Sequence, residues 1–335
     1  MTNSAFTALS QLRIRLEHQI VGQQDLVNKL LIALIADGHL LVEGAPGLAK
    51  TRAIRELAAG MEADFQRIQF TPDLLPGDVT GTEIFRPQTG EFEYQAGPIV
   101  HNLVLADEIN RAPAKVQAAL LEAMAERQVS VGKATYPLPE LFLVMATQNP
   151  IEHEGTYPLP EAQLDRFLMK VIVDYPSVQD EKSILRLVRQ ELINESDKSV
   201  KDSGEAQAST NTANTKIHQS DVFAARQQSL QIHLSEAVEE YIVQLVAATR
   251  QPAAYDETLG RYIEYGASPR ASLALERCAR AVAWLDQRDF VTPDDVQTIA
   301  HDVLRHRIIV SFEAEAKGVN SDSTIEKLLE SVPVL

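Results

Sequence analysis

Two adjacent side chains near the amino terminus, Lys50 and Thr51, are of the types that bind phosphate and magnesium. They come after an apolar segment and open a run of helical residues over 53–59. In that context the N–H groups at the start of a helix point at an anion, a lysine reaches the terminal phosphates and a hydroxyl ligates Mg²⁺. The spacing therefore predicts a phosphate loop. Its residues are Gly44, Ala45, Pro46, Gly47, Leu48, Ala49, Lys50 and Thr51, with Arg52 directly after it.

The residue before the lysine departs from the usual pattern of such a loop. That pattern, G-x-x-x-x-G-K-[ST], has glycine where this chain has Ala49. If the backbone needs a positive φ there, alanine costs about 1 kcal/mol relative to glycine. Taken alone, the segment is also compatible with an ordinary strand-to-helix turn.

Two carboxylates, Asp107 and Glu108, end a second apolar segment at 103–106. An aspartate at the tip of a strand can hold Mg²⁺ through water, and a glutamate beside it can orient or deprotonate an attacking water. The alternative is an acidic cap on the helix that follows, but a cap does not explain the buried strand before the pair. In order after the phosphate loop, the pair predicts nucleotide binding and favours hydrolysis over binding alone.

A third polar point, Asn149, ends the next apolar segment and precedes a proline. Parallel strands deliver their carboxyl ends to one edge of a sheet, so Asn149 is expected to face the same terminal phosphate as Glu108. An ordinary Asn-Pro turn is the alternative.

These side chains require a parallel sheet to position them. Up to about residue 175 the chain alternates short apolar runs with helical patterns, which is typical of a parallel sheet covered by helices. The expected strands are 39–43, 65–70, 103–106, 141–147 and 169–173, and three of them are nearly all apolar, as strands buried on both faces require.

From residue 176 onward only helical periodicity is found, which predicts an α/β core over 1–176 and a smaller all-α domain over 177–335. Helix starts are marked by Ser235, Ser268 and Thr292, the last two each followed by proline. The polar stretch 194–220 is predicted to be a flexible surface loop because it has almost no large apolar residues.

Composition excludes several classes of protein. The 335 residues carry a formal net charge of -16, which disfavours non-specific binding to nucleic acid or anionic membranes. The single cysteine, Cys278, excludes a disulfide framework and is expected to be a buried helical residue. No apolar run spans a bilayer and the first residues form an amphipathic helix rather than a signal peptide, so a cytoplasmic protein is expected.

The order of these motifs resembles the AAA+ ATPases, and within them the MoxR family, over nearly the whole chain. In that family alanine commonly precedes the lysine of the phosphate loop. The further segments that carry the resemblance are Val21, Gly22 and Gln23 on the adenine side, 107–112 for Walker B and its extension, 146–150 for sensor 1, 164–167 with Arg166 for the arginine finger, and 268–270 with Arg270 for sensor 2.

The resemblance implies a P-loop AAA+ core with a five-stranded parallel sheet in the order 5-1-4-3-2, a helical lid and a homo-oligomeric ring, usually a hexamer. It implies ATP and Mg²⁺ as ligands, with Thr51 and Asp107 on the metal. The segment 71–102, which contains a hairpin-like stretch at 83–94 with a turn at 87–90, resembles the insert in helix 2 of the wider group. A second hairpin is expected at 129–136. Each hairpin is either a pore- or client-facing element or an inert surface element.

Two arginines are expected to act on the nucleotide. Arg166 is expected to be supplied in trans by a neighbouring subunit, where a guanidinium stabilises charge on the transferred phosphoryl group. The alternative is a surface salt bridge. Arg270 lies in the first turn of a helix, where its charge opposes the helix dipole, which suggests a charge kept for the γ-phosphate. Arg111 is either a second trans-acting arginine or a cap of the helix over 114–127.

The leading hypothesis is therefore a chaperone-like ATPase that remodels or matures a protein client, as MoxR relatives do, commonly with a partner that carries a von Willebrand factor A domain. The first alternative is an AAA+ nucleic-acid motor or transcription regulator. Against it stand the net charge and the hairpin over 129–136, whose only positive group is Lys133. The second alternative is a nucleotide switch without hydrolysis, against which the intact Glu108, Asn149 and Arg166 argue.

Overall fold

Five parallel strands form the central sheet of the protein. The structure is a computed structural model that describes residues 4–150, 155–201 and 216–334. The strands are β1 (Leu40–Gly44), β2 (Phe65–Gln69), β3 (Gly81–Arg86), β4 (Glu91–Ala96), β5 (Leu103–Asp107), β6 (Gln128–Val131), β7 (Ala134–Pro137), β8 (Leu143–Gln148), β9 (Met169–Val173), β10 (Ile263–Tyr265) and β11 (Ile309–Val310).

Helices cover both faces of the sheet and make up most of the second half of the chain. They are α1 (Ser4–Gln19), α2 (Gln24–Ile35), α3 (Lys50–Ala59), α4 (Pro76–Thr80), α5 (Ala114–Glu126), α6 (Glu161–Leu164), α7 (Val178–Lys201), α8 (Gln219–Leu230), α9 (Glu236–Arg250), α10 (Glu257–Tyr262), α11 (Pro269–Leu285), α12 (Pro293–Leu304), α13 (Phe312–Ala316) and α14 (Ser321–Ser331).

The order of the strands in the sheet is β2-β5-β8-β1-β9, and all neighbouring pairs are parallel. Numbered along the chain within this sheet, that order is 5-1-4-3-2 read from the opposite edge. The expected α/β fold and strand order are therefore confirmed. The carboxyl ends of β1, β5 and β8 meet at one edge, which is where the polar side chains of the predicted site follow.

The central strand β1 shows why the sheet reads as apolar in the sequence. Leu40, Leu41 and Val42 are all fully buried. Leu40 and Val42 belong to the larger core, which also includes residues of α1, α2, α3 and the helices after residue 216, whereas Leu41 belongs to a second core with α5. Successive residues of a strand point to opposite faces, so a strand covered on both sides must be apolar throughout.

Helix starts in the second half of the chain follow the predicted caps. The Ser235 hydroxyl accepts a hydrogen bond from the N–H of Val238, and the Ser268 hydroxyl accepts one from Arg270. These bonds satisfy N–H groups that have no partner within the helix. Within α11, the thiol of Cys278 is buried, and burial raises its pKa to about 12, which suits a core residue rather than a nucleophile.

Two antiparallel hairpins extend from the core as expected. The hairpin β3–β4 lies within the predicted insert and turns through 87–90, and the hairpin β6–β7 comes before β8. In β3–β4 the side chains of Phe85 and Phe92 are exposed and their ring centroids lie 5.3 Å apart. This hairpin thus presents an aromatic pair to solvent.

Two expectations about the second half are wrong in part. Helix α7 continues to Lys201, so residues 194–201, expected in a loop, are helical, and 219–220 already belong to α8. The rest of the predicted loop, apart from 216–218, lies outside the described residues. The second half is also not entirely helical, since β10 and β11 pair with each other. Within the described ranges, no helix is both long enough and apolar enough to span a membrane.

Candidate nucleotide-binding site

The predicted phosphate loop joins the end of β1 to the start of α3. Ala49 has φ 58° and ψ 12°, the left-handed conformation, immediately before the helix. Gly47 also has a positive φ, 84°. The loop therefore does need a positive φ at the position where glycine is usual, and Ala49 adopts it with the strain of an L side chain.

The Lys50 ammonium is held at the loop by backbone oxygens. Its Nζ donates to the carbonyl oxygen of Gly44 over 2.5 Å and to that of Gln148 over 3.5 Å, and the residue is buried. Burial lowers the pKa of Lys50, while the charges of Asp107, Glu108 and Glu43 act in the opposite direction. These carboxylates favour the charged ammonium that phosphate binding requires.

The Asp107 carboxylate lies at the end of β5 and has partners on both neighbouring strands. Its Oδ1 accepts a hydrogen bond of 2.6 Å from the Thr147 hydroxyl on β8. Its Oδ2 accepts from Nε and Nη2 of Arg67 on β2, over 3.0 and 2.7 Å. Each carboxylate oxygen thus has a fixed partner, which sets the orientation of the group that faces the phosphate loop.

Glu108, the next residue, lies in the turn after β5 with a left-handed φ of 58°. Its N–H donates to the Thr147 hydroxyl over 2.9 Å, so one threonine positions both acids. Its Oε2 accepts a hydrogen bond of 2.8 Å from the amide of Gln69 and lies 3.3 Å from Nη1 of Arg111. Arg111 is therefore paired with Glu108 of its own chain, which the sequence did not predict.

These groups line one pocket of about 630 Å³. Asn149, which follows β8 and is buried, lies in the same lining as Glu108, as expected from the strand ends. The lining consists of Pro46, Gly47, Leu48, Ala49, Lys50, Thr51, Arg52, Arg55, Glu56, Asp107, Glu108, Thr147 and Asn149.

The donor set of this pocket fits a magnesium-bound nucleotide. The Thr51 hydroxyl and the Asp107 carboxylate are hard oxygen ligands, and Mg²⁺ in phosphate sites takes only one or two protein ligands beside water and phosphate oxygens. No larger group of His, Cys, Asp or Glu side chains that would form a metal site occurs in the parts of the chain that the structure describes.

The segment expected on the adenine side packs against the start of the second half of the chain. Gly22 has a φ of 77°, and a Cβ there would lie 2.9 Å from that of Asp180. The Gln23 amide donates to the carbonyl oxygen of Asp174 over 3.0 Å. Val21, Gly22 and Gln23 are not among the residues that line the pocket. Helix α1 links this segment to the pocket. Its last residue, Gln19, accepts a hydrogen bond of 2.9 Å from Arg52, which lines the pocket.

Arg166 and Arg270 lie together, but not in the pocket of the phosphate loop. Both line a second cavity of about 390 Å³ that also includes Gly38 and His39, just before β1. The cavity is therefore at the amino ends of the strands, whereas the phosphate loop is at their carboxyl ends. Nη1 of Arg166 donates to the Leu121 carbonyl oxygen over 2.6 Å.

The Arg270 side chain is 55% exposed, and its Nη1 lies 3.9 Å from Oδ2 of Asp165. That carboxylate is already bound by Arg307 over 2.7 Å and by the Ser268 hydroxyl over 2.7 Å. Asp165 pairs with Arg307 and Arg270, so the alternative of a salt bridge between Asp165 and Arg166 is not what the structure shows. Both Arg166 and Arg270 thus remain apart from the phosphate loop of their own chain.

The motifs do not identify five residues of the site. Arg55, Glu56 and Thr147 line the pocket, and Arg67 and Gln69 on β2 bind the two acids. The sequence does contain a signal for Arg67 and Gln69. They are two positions apart on β2, so their side chains point to the same face, and β2 lies next to the strand that ends in the acid pair. Because β2 pairs with β5, Gln69 lies opposite Asp107.

Comparison with known families agrees with this geometry. A family model described as the ATPase family associated with various cellular activities (AAA) matches residues 39–169, and a model described as the AAA lid domain matches residues 258–328.

Similar proteins cover nearly the whole chain. It is 45% identical to the chaperone MoxR1 of Mycobacterium tuberculosis over 93% of this chain and 78% of that protein. It is 43% identical to the uncharacterized protein YeaC of Bacillus subtilis, over 94% and 91% of the two chains, and 33% identical to the protein MoxR of Paracoccus denitrificans, over 87% and 86%. The crystal structure of a Cytophaga hutchinsonii protein, described provisionally as an ATPase, superposes with a TM-score of 0.86 at 44% identity, covering 99% of this chain and 96% of that one.

Proposed function

Because the chain belongs to the MoxR family of AAA+ ATPases, we propose that it uses ATP hydrolysis to remodel or mature a protein client as a homo-oligomeric ring. The ATPase activity follows from the family. The proposal concerns the protein client, the ring and the role of each residue. Its main support is the position of Arg166 and Arg270.

Five side chains of the pocket do the chemistry in this proposal. Lys50 binds the terminal phosphates, and the oxygens of Thr51 and Asp107 hold Mg²⁺, which when bound screens the charge of the phosphates. Glu108 orients the attacking water and takes up its proton, and Asn149 positions the same water. The first turn of α3 adds N–H groups that point at the phosphates.

Two residues at the opposite edge of the sheet complete the site of a neighbouring subunit. Arg166 and Arg270 cannot stabilise the phosphates of their own pocket from the amino ends of the strands. A ring in which each subunit presents this edge to the next one brings both guanidinium groups to the neighbour's nucleotide. There they stabilise the negative charge that develops on the transferred phosphoryl group.

A hexamer is the ring size that we propose, on the resemblance to the family. In the same proposal, the segment of Val21, Gly22 and Gln23 contacts the adenine side of the nucleotide. This segment joins α1 to α2 beside the start of α7.

The free and buried Cys278 fits a reducing compartment, and we propose the cytoplasm as the location.

The exposed aromatic pair of β3–β4 supports a protein client. Phe85 and Phe92 are 51% and 67% exposed, and apolar surface of this kind binds extended or partly unfolded protein segments. A partner with a von Willebrand factor A domain, as in relatives, is part of the proposal.

A nucleic-acid motor is the less favoured alternative. The strands of β3–β4 carry three carboxylates, Glu83, Glu91 and Glu93, against one arginine, Arg86. Hairpins that follow a phosphate backbone need the opposite sign of charge. Tight DNA binding at low salt that stimulates ATP hydrolysis would reverse this preference.

Mixing two inactive variants tests the shared site. Glu108→Gln subunits lack the base but still present Arg166, and Arg166→Ala subunits keep the base but lack the guanidinium. Each variant alone is expected to lose most of its ATPase activity. The mixture is expected to regain a substantial part of it, because some pockets then combine an intact Glu108 with an intact Arg166.

A matched control is Arg189→Ala, which removes an exposed arginine of α7 and is expected to retain full activity alone. No recovery in the mixture, with both variants shown by sizing to assemble together, would contradict the shared site. Full activity of Arg166→Ala alone would contradict it as well.

A further inference from the structure

A third cavity, also lined by charged residues, lies beside the cavity of Arg166 and Arg270. It has a volume of about 620 Å³ and lies between the α2–β1 turn, α8 and α11. We call it the arginine pocket and define it by Asp37, Arg127, Phe223, Arg226, Arg277 and Arg280. It shares no lining residue with the pocket of the phosphate loop. In a chain with a net charge of -16, such a concentration of guanidinium groups calls for an explanation.

Three guanidinium groups of this pocket converge on one residue, Asp37. Its carboxylate pairs with Arg127 over 2.6 Å and with Arg226 over 2.7 Å. Nη2 of Arg277 donates to its carbonyl oxygen over 2.7 Å. Asp37 adopts a left-handed φ of 53° directly after the C-cap of α2, a conformation that commonly ends a helix and that aspartate tolerates. One carboxylate does not neutralise three cations.

The fourth arginine, Arg280, is also bound by the protein. A second carboxylate, that of Glu140, lines the pocket. Arg280 pairs with Glu276 over 2.9 Å. Glu140 is exposed and contributes its carbonyl oxygen, to which Arg127 donates over 3.2 Å. The inner part of the pocket, around Asp37, therefore retains an excess of positive charge.

Arg226 has a donor that the protein does not satisfy. Its side chain is 12% exposed, with Nε bound to the Leu34 carbonyl oxygen over 3.0 Å and Nη1 bound to Asp37. Its Nη2 is buried and has no hydrogen-bond acceptor among the residues that the structure describes. Burial lowers the pKa of Arg226, Asp37 and, more weakly, Glu140 oppose this shift, and Arg127 and Arg277 add to it. A buried donor without an acceptor is costly, and a small rotation of the guanidinium would let an anion in the pocket supply that acceptor.

One wall of the pocket is apolar. Phe223 lies with its ring centroid 5.7 Å from the Arg226 guanidinium, and the exposed Leu230 lies on the same helix. Leu138 and Pro139 face them from the segment after β7. Charged donors beside a partly aromatic wall are typical of sites for small organic anions.

We propose that the arginine pocket binds a small phosphate-bearing molecule of about nucleotide size, whose phosphate meets Arg226 and Arg277 and whose apolar part lies against Phe223. Such a ligand supplies the acceptor that Arg226 lacks and the negative charge that Asp37 alone does not provide. The site is independent of the ATPase pocket. Because it shares Asp37, Arg127 and Arg277 with the cavity of Arg166, a neighbouring subunit is the competing occupant.

Titration calorimetry with inorganic pyrophosphate tests this site in a Lys50→Ala chain without Mg²⁺, which weakens binding at the phosphate loop. Gln227 lines the pocket and is exposed, so its substitution leaves the fold intact. Gln227→Glu is expected to weaken pyrophosphate binding roughly tenfold, and Gln227→Lys to strengthen it severalfold, because a unit charge is placed near the anion. Gln11→Glu and Gln11→Lys, on the exposed side of α1, are the matched controls and are expected to leave the affinity unchanged.

Three outcomes overturn the proposal. One is the absence of saturable pyrophosphate binding. Another is an affinity that responds equally to the Gln227 and Gln11 substitutions. The third is a Gln227→Glu chain whose anion affinity is unchanged while its self-association, measured by sedimentation, is altered. That last result assigns the pocket to a neighbouring subunit instead.

Discussion

The side-chain amide of Gln69 donates a hydrogen bond of 2.8 Å to the carboxylate of Glu108, which joins the end of β2 to the turn after β5. The oxygen of the same amide accepts from Arg67 over 2.6 Å, and Arg67 binds Asp107. The two acids of the site are therefore held by one network from the neighbouring strand. The hydrogen bond from Gln69 therefore occupies an oxygen of the Glu108 carboxylate that could otherwise accept from the attacking water.

We expect Gln69→Leu to raise the basal ATPase rate by roughly two- to fivefold, because the Glu108 carboxylate, once released from Gln69, is free to turn to the attacking water. Steady-state kcat in Mg²⁺ without client is the measurement. Gln66→Leu, on the other face of β2, is the matched control and should leave kcat unchanged. A fall in kcat for Gln69→Leu would show instead that Gln69 aligns Glu108 for the reaction.

Ala49→Gly should not destabilise the protein, in contrast to glycine substitutions elsewhere in the same segment. Ala49 is strained by about 1 kcal/mol at its positive φ, and glycine relieves that strain while adding entropy to the unfolded chain. The matched control is Ala59→Gly in α3, which is expected to lower the free energy of unfolding by about 1 kcal/mol. Denaturant unfolding of the two variants measures this difference, and equal losses in both would contradict the prediction.

The sheet and its polar edge were predictable because their causes are local. Strands buried on both faces must be apolar, and the carboxyl ends of parallel strands share an edge, so the proximity of Lys50, Asp107, Glu108 and Asn149 followed from the order of motifs. The β2 side chains were not predictable in this way. Exposed polar residues on a strand look the same whether they are solvated or, like Gln69, contact a residue 39 positions away.

The end of helix α7 and the positions of Arg166 and Arg270 were likewise not predictable from the sequence. Residues 194–201 are mostly polar, and composition does not distinguish the extension of a helix from a loop. The motifs of Arg166 and Arg270 identified two cations but not the edge of the sheet at which they lie. That edge depends on how α11 packs on the core, through contacts such as Ser268 with Asp165, which are distant in the sequence.

We expect Lys29→Met to destabilise the protein by about 2–3 kcal/mol, because Asp302 loses one of its two ion-pair partners. Nζ of Lys29 on α2 lies 2.6 Å from Asp302 on α12, and the two side chains are 6% and 8% exposed. Removing the lysine leaves a buried carboxylate with only Arg305 as its ion-pair partner among the described residues. Lys317→Met removes an exposed pair with Glu313 and should change stability by less than about 1 kcal/mol. Chemical unfolding of both variants compares them, and similar losses would contradict the prediction.

Low pH is expected to lower the free energy of unfolding, because it favours protonation of His39, just before β1, in the unfolded chain. Its Nδ1 accepts a hydrogen bond of 3.1 Å from the N–H of Val144, so Nε2 carries the proton and faces the Met124 carbonyl oxygen at 3.3 Å. Burial, with a smaller effect of Arg127, lowers the pKa of His39 from 6.5 to about 4. The unfolded chain therefore binds the proton first as the pH falls. The stability due to neutral His39 is complete above pH 6.5 and is lost progressively towards pH 4, by about 3 kcal/mol.

Urea unfolding between pH 7.5 and pH 4 measures this loss. His39→Gln should reduce stability at pH 7.5, because the core loses the ring, but should also flatten the slope of stability between pH 6.5 and pH 4. Some slope should remain, since burial lowers the pKa of His306 as well. His233→Gln is the control, because that side chain is exposed and its replacement should leave the slope as it is. An unchanged slope in His39→Gln would show that His39 does not carry this acid sensitivity, because only a group whose pKa differs between the folded and unfolded chain contributes to it.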